Sequence, residues 1–293
     1  MSLDLDERQR AMLQEMKVPV WWPAKVAEAV AAPIRTSTAE RPKERLQERP
    51  SAPASSPMIE PAGTRLTQDP AVRRLIAQVT AQPVSAAAIS AMTWPELQQA
   101  VAGCQDCQLC ETRKATVFGA GQAAPDAQTA PQVDWLVVGD APDESEEAAG
   151  QPFAGSSGVL LDNMLKAMGL ARDRTVFLLN VVKCRPPGNR NPSPAEIAQC
   201  QPYLGRQIEL LQPKMILAVG RFGINAVLQA SVPNVHQLPL GKLRGQVHFY
   251  DNSGVQVPVV ATYHPTALLR NSAEKAKAWA DLCLALATRA KLV

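Results

Sequence analysis

The chain is 293 residues long and 46% hydrophobic, enough for one or two domains with a sizeable core. No apolar run is long enough to cross a bilayer, so no membrane association is expected. The net charge of +3 argues neither for nor against nucleic acid, so any phosphate binding has to come from local placement of cations.

Residues 3–17 read as a short charged helix with Leu5, Met12, Leu13 and Met16 as a sparse apolar stripe, and VPVWWP follows. Trp21 and Trp22 lie outside any domain signal. Residues 1–22 therefore read either as a docking peptide for a protein partner or as a tail that packs on its own chain. Residues 23–92 carry no aromatic side chain and abound in Ala, Pro, Ser, Arg and Glu. Such a stretch buries too little apolar surface to offset its ordering entropy, and it is expected to be a disordered linker, with a short helix around 71–80.

Order is expected from Thr93, in a domain spanning 93–293. Thr93 caps, Glu96 answers three residues later, and TWPELQQAVAG runs as a helix ended by Gly103. Directly after it, GCQDCQLC sets Cys104 and Cys107 in a C-x-x-C with Cys110 as a third thiol. Short apolar runs at 133–139, 175–181, 214–220 and 257–263 read as buried parallel strands. Helical stretches at 158–168, 193–211, 222–229 and 273–290 alternate with them. The expected fold is α/β, a three-layer sandwich with a mainly parallel four-stranded sheet.

The stretch LNVVKCRPPGNRNPSPAEIAQC crowds an amide, two thiols and several cations into one turn. Its helix has a marked start, with Ser193 as N-cap, Pro194 at the first position and Glu196 closing a capping box; Cys200 lies about two turns in. Cys184 and Cys200 need two further ligands to form a metal site, and Cys104 and Cys107 supply them. Without a signal peptide, the six cysteines point to metal ligation in a reducing cytoplasm rather than to disulfides. The plainer alternative makes Cys184 and Cys200 small buried hydrophobes and Cys104 and Cys107 a redox pair. Four thiolates suit zinc or an iron-sulfur cluster equally by softness. Cys283, in an apolar stripe with Trp279, Leu282 and Leu286, reads as core.

Asp140 follows the first strand, Asn180 ends the second and His264 follows the last. All three thus fall at carboxyl ends of parallel strands, where open α/β sheets bind ligands. Taken singly, an Asp after a strand is a turn residue and a His-Pro is structural; the convergence of three weakens that reading. GRFG at 220–223 lacks the third glycine of a dinucleotide fingerprint, so nicotinamide chemistry is unsupported.

The segments GCQDCQLCETRKATVFGAG, WLVVGDAPDESEEAAGQPFAGSSGVLLDNML, LNVVKCRPPGNRNPSPAEIAQC and VATYHPTALLRN follow one another as in the family 4 uracil-DNA glycosylases, which the chain resembles from about Thr93 to its end. The resemblance implies a uracil-DNA glycosylase-like fold and a 4Fe-4S cluster on Cys104, Cys107, Cys184 and Cys200, with Cys110 left out. It also implies a monomer whose partner is uracil-containing DNA.

By the same resemblance Phe153, in GQPFAG, stacks on a base flipped from the duplex. Asn180 accepts from uracil N3–H and donates to O4, a pattern that cytosine reverses. Asp140, with Glu146, holds a water near the sugar, and His264 donates to uracil O2 as negative charge develops there. DNA contact falls to Lys183, Arg185, Arg190, Lys242, Arg244 and Arg270, with the amides of residues 155–158 as a further phosphate site and Leu268 or Leu269 as a wedge.

One departure stands out. The family usually has GEAPG where this chain has GDAPD, so Asp140 is one methylene short and Asp143 replaces a glycine, expected either to add charge at the rim or to occupy a left-handed turn. Weaker activity or an altered base preference follows from that change. The alternatives from other classes are an iron-sulfur nucleic-acid-binding module with little catalysis and a zinc hydrolase.

Overall fold

The computed structural model describes residues 85–122 and 129–292, so the expectations for residues 1–22, for the bulk of 23–92 and for a helix at 71–80 lie outside the described residues. Among the described residues no helix is long and apolar enough to cross a membrane. Helix α1 (Ala86–Ala91) falls inside the expected linker and corrects its boundary. Ser85 caps it by accepting from Ala88 N at 3.2 Å. Its one apolar anchor, Ile89, packs against Leu97, Val101 and Tyr203. A segment with no aromatic residue can still order when one side chain meets a groove built by later elements.

The remaining α-helices and strands among the described residues are α2 (Trp94–Gly103), α3 (Leu109–Thr112), β1 (Ala120–Gly121), β2 (Trp135–Gly139), α4 (Glu144–Ala149), α5 (Gly155–Ala167), β3 (Val176–Asn180), α6 (Pro194–Leu211), β4 (Met215–Val219), α7 (Arg221–Leu228), α8 (Leu240–Leu243), β5 (Val247–Asn252), β6 (Val255–Thr262), α9 (Pro265–Arg270) and α10 (Lys275–Ala290). Both expected capping boxes are present, Thr93 with Glu96 on α2 and Ser193 with Glu196 on α6.

The sheet has six strands in the order β1-β3-β2-β4-β6-β5. The inner four are mutually parallel, as the apolar runs require, and the expected count of four is corrected by two antiparallel edges, β1 and β5. Neither edge carries a continuous apolar run: β1 is two residues long and β5 is at most half-buried. Strands β2, β3 and β4 are buried along their whole length. Alternate side chains serve opposite faces. Leu136, Val138, Leu179 and Ile216 pack with Leu204, Ile208 and Ile224 on one side, and Val137, Leu178, Leu217 and Val260 pack with Leu161, Met164 and Leu282 on the other. The result is a three-layer α/β sandwich. Its parallel register, Gly139 opposite Asn180 and Val219 opposite Thr262, brings the carboxyl ends of the inner strands level.

Candidate active site and thiol cage

Asp140 leaves β2 at that rim. Its Oδ1 accepts from Phe222 N at 2.8 Å and Gly223 N at 3.0 Å, in the first turn of α7. Burial pushes its carboxyl above the ordinary range, while the His264 charge and these two N–H groups pull the other way. Gly220, between β4 and α7 with φ 86°, makes room for it. A Cβ there would stand 2.4 Å from Asp140 Oδ2.

His264 is the N-cap of α9, and its Nδ1 accepts from Thr266 N at 3.3 Å. That bond places the proton of the neutral ring on Nε2. Burial holds His264 below its ordinary value against the raising pull of Asp140 and Asp143. Its ring stacks on Phe153, with centroids 5.4 Å apart and an interplanar angle of 24°. Phe153 in turn lies on Gly139, where a Cβ would meet Phe153 Cζ at 2.4 Å and Asn180 Oδ1 at 3.1 Å.

Glu146 ties these parts together. It accepts from Asp143 N at 2.7 Å through Oε2, and from both Phe153 N and Asn180 Nδ2 through Oε1, the last at 3.2 Å. Its carboxylate thus accepts from three protein donors, and it also lines the cleft beside Asp140. Asp143 does not take the left-handed turn considered from sequence. It is extended, with φ −97°, and caps α4 by accepting from Glu146 N at 3.0 Å.

Asp140, Asp143, Glu146, Arg190, His264 and Arg270 line one cleft. Asn180 and Phe153, each 1% exposed, sit behind that lining.

Five thiols, Cys104, Cys107, Cys110, Cys184 and Cys200, line a second cavity, between the α2–α3 connection and α6. Among the described residues no group of three or more His, Cys, Asp or Glu side chains is gathered to hold a single metal ion. Burial pushes the thiols of Cys104, Cys107 and Cys184 up, and that of Cys200 to about 12. Such a cage suits a cofactor that brings enough positive charge to ionise its ligands. Arg113 Nη1 donates to Cys184 Sγ at 3.1 Å. Sequence reasoning passed over Arg113 because nothing in its spacing ties it to a cysteine 71 positions away.

The cations expected on DNA separate into two groups. Lys183 is 2% exposed and donates to the Asn180 carbonyl, so it does not reach a phosphate. Arg244 is bound to the fully buried Asp281 through two hydrogen bonds, at 2.9 and 3.0 Å, and lies over the Tyr263 ring. Burial thus takes Lys183 away from any phosphate, and Arg244, with its side chain 17% exposed, is tied to a buried partner. Arg185 pairs with Glu144 and Glu147, and Arg190 is held in a two-pronged pair by Glu196. Lys242 is exposed, and Arg270 lines the cleft. Of the two wedge candidates Leu268 is core and Leu269 is 46% exposed.

Residues 127–283 match the family model of the uracil DNA glycosylase superfamily. A type-4 uracil-DNA glycosylase of Sulfurisphaera tokodaii is 38% identical over 60% of this chain and 76% of its own length. Another, of Pyrobaculum aerophilum, is 36% identical over 66% of this chain and 93% of its own. A third, of Archaeoglobus fulgidus, is 34% identical over 59% and 82%. Matches of this extent, on a sheet whose rim gathers an acid, an amide and an imidazole beside a thiol cage, place the chain in the uracil-DNA glycosylase superfamily, on its type-4 branch.

Proposed function

We propose that the chain hydrolyses the N-glycosidic bond of uracil in DNA and leaves an abasic site. The observation that carries this reading is the fixed Asn180 amide. With one Nδ2 hydrogen given to Glu146, the other and Oδ1 remain for a base. That pair matches uracil, whose N3–H donates and whose O4 accepts; cytosine in the same pose would leave buried polar groups unpaired.

Phe153 supplies the stacking face. Because it is buried behind His264, the imidazole has to shift as the base enters. The Nε2–H of His264 then meets uracil O2 and stabilises the charge left on the departing base. Asp140, anchored through Oδ1, turns Oδ2 to a water and to the positive charge that develops on the sugar. Arg270 and Lys242 remain as phosphate contacts.

Cys104, Cys107, Cys184 and Cys200 are the residues we assign to a 4Fe-4S cluster. A tetrahedral zinc site, with Zn–S bonds of about 2.3 Å, needs sulfurs packed within about 4 Å of one another, whereas a cluster spreads its thiolates more widely. The four thiols line one cavity, which supports a shared cofactor. When bound, the cluster crosslinks the α2–α3 connection to the turn that follows Asn180.

The test uses protein whose iron content has been measured and oligonucleotides with a single uracil, cytosine, hypoxanthine or xanthine, scoring strand scission after alkali. Scission is expected at uracil, reduced by about 10²–10³ in Asn180→Ala and Asp140→Ala. Iron-loaded protein that releases no base, or variants that release it unimpaired, overturns the reading in favour of a binding module.

A further inference from the structure

Lys183 stands apart from every other cation of the site. It leaves β3 three residues after Asn180, one residue before Cys184, and its side chain turns inward to line the thiol cavity. Its Nζ donates to the Asn180 carbonyl at 2.8 Å. Its own carbonyl accepts from Val117 N at 2.8 Å. The residue is thus fixed at two points, with the ammonium between the cage and the base-reading strand end. Cys200 and Cys184 are charged neighbours that act on that ammonium, and Asp106 and Glu196 line the same cavity. A buried ammonium without an anion is strongly destabilising. Thiolates bound to a cluster would carry more negative charge than its iron-sulfur core carries positive, and they line the cavity that the ammonium faces.

On the reading that the cage holds a 4Fe-4S cluster and the chain excises uracil, we propose that Lys183 is a positioning residue. The anionic, thiolate-bound cluster is its counter-charge, and Lys183 in turn holds the Asn180 carbonyl, so that cluster occupancy fixes the strand end that reads the base. No electron or proton has to move. The link is the electrostatic and hydrogen-bonded path from cage to ammonium to carbonyl.

The test compares the full, cluster-loaded chain with Lys183→Met, which removes charge and donor, Lys183→Gln, which keeps a donor, and Lys183→Arg, which keeps the charge. Iron and sulfide per chain, the reduction potential of the cluster and kcat and KM on a single-uracil oligonucleotide are measured for each. Removing a positive charge beside the cluster is expected to lower its potential in the Met and Gln variants. Their kcat is expected to fall about tenfold through misplacement of Asn180, with KM within about twofold, because no phosphate contact has changed. Lys183→Arg is expected to recover the potential and part of kcat.

Loaded Met or Gln variants with wild-type potential and kcat overturn the proposal. So does a lowered kcat with unchanged potential, which reduces Lys183 to a packing residue. If the Met variant does not fold, the Gln variant decides alone. A wild-type chain that releases no uracil sinks the functional reading, yet the potential shift still tests the charge link. A wild-type chain without iron and sulfide sinks both the cluster and this proposal.

Discussion

Glu146 accepts a set of hydrogen bonds that no neutral side chain of its shape can accept together. Its Oε2 takes Asp143 N at 2.7 Å, and its Oε1 takes Phe153 N and, at 3.2 Å, Asn180 Nδ2. Glu146→Gln leaves one acceptor oxygen and creates an NH2. If the oxygen stays on the Phe153 side, the NH2 faces Asp143 N, donor against donor. If it turns to Asp143, the NH2 faces both Phe153 N and Asn180 Nδ2, and Asn180 relieves its share of the conflict by turning over to offer Oδ1. The turned amide donates where uracil donates and accepts where uracil accepts, which is the pattern cytosine fits. One unpaired buried polar group costs about 1–3 kcal/mol. At about 1.4 kcal/mol per factor of ten, uracil excision should fall by about 5- to 150-fold. Single-turnover cleavage of oligonucleotides carrying one uracil or one cytosine measures both arms, and the cytosine-to-uracil ratio should rise. A Glu146→Gln enzyme with the wild-type uracil rate and unchanged preference would show that Glu146 does not set the amide, and the reasoning would fail.

Gly220→Ala puts a Cβ 2.4 Å from Asp140 Oδ2 at a backbone φ of 86°, so the carboxylate must move; a shift of about 1 Å is expected to lower kcat about a hundredfold, and an unimpaired kcat refutes the steric argument. Arg270→Ala should weaken DNA binding and reduce its salt dependence by about one phosphate contact, as read by anisotropy across a salt series. Arg244→Ala should leave that slope alone and instead lower stability by about 3–5 kcal/mol in denaturant melts, because it strands the buried Asp281; a slope that responds to Arg244 instead of Arg270 reverses the assignment. On the proposed mechanism Asp140 acts ionised, and burial raises its carboxyl above its ordinary 3.8. Acid therefore removes that charge, and the single-turnover rate should fall along an acid limb displaced above the ordinary carboxylate range, towards a limiting slope of about one; a rate that does not fall in acid excludes that role.

The inner sheet was legible because β2, β3 and β4 are buried on both faces and so write unbroken apolar runs. The edges were not: two residues at β1 and a half-exposed β5 leave no periodic trace. Capping boxes at Thr93 and Ser193 announced helix starts because both partners lie within three residues of each other. The convergence of Asp140, Asn180 and His264 at one rim followed from strand polarity alone. What strand polarity could not convey was how each group is held. Glu146 reaches Asn180 across 34 positions, and Arg113 reaches Cys184 across 71. The cations show the limit most clearly. Lys183 and Arg244 look like surface residues in a basic loop, and only packing reveals that one faces a thiol cavity and the other a buried aspartate.

The GDAPD stretch turns on how a shorter acid is held. Asp140 is located by backbone donors at the start of α7, and these fix Oδ1 where two N–H groups converge, whatever the length of the side chain behind it. Oδ2, beside the space that Gly220 leaves open, accepts no hydrogen bond from the described residues. On the proposed mechanism one oxygen anchors the acid and the other acts on the water and the sugar. Asp140→Asn separates these two duties: the amide oxygen can keep both α7 bonds while the other position becomes a neutral donor. Folding should survive, with a melting temperature within a few degrees of wild type, and the single-turnover rate should drop by about 10²–10³ as the charge that stabilises the sugar cation is lost. Were the rate to hold while Asp140→Ala abolished it, the role of Asp140 would be to anchor α7, and the acid acting on the sugar would have to be sought elsewhere along the cleft.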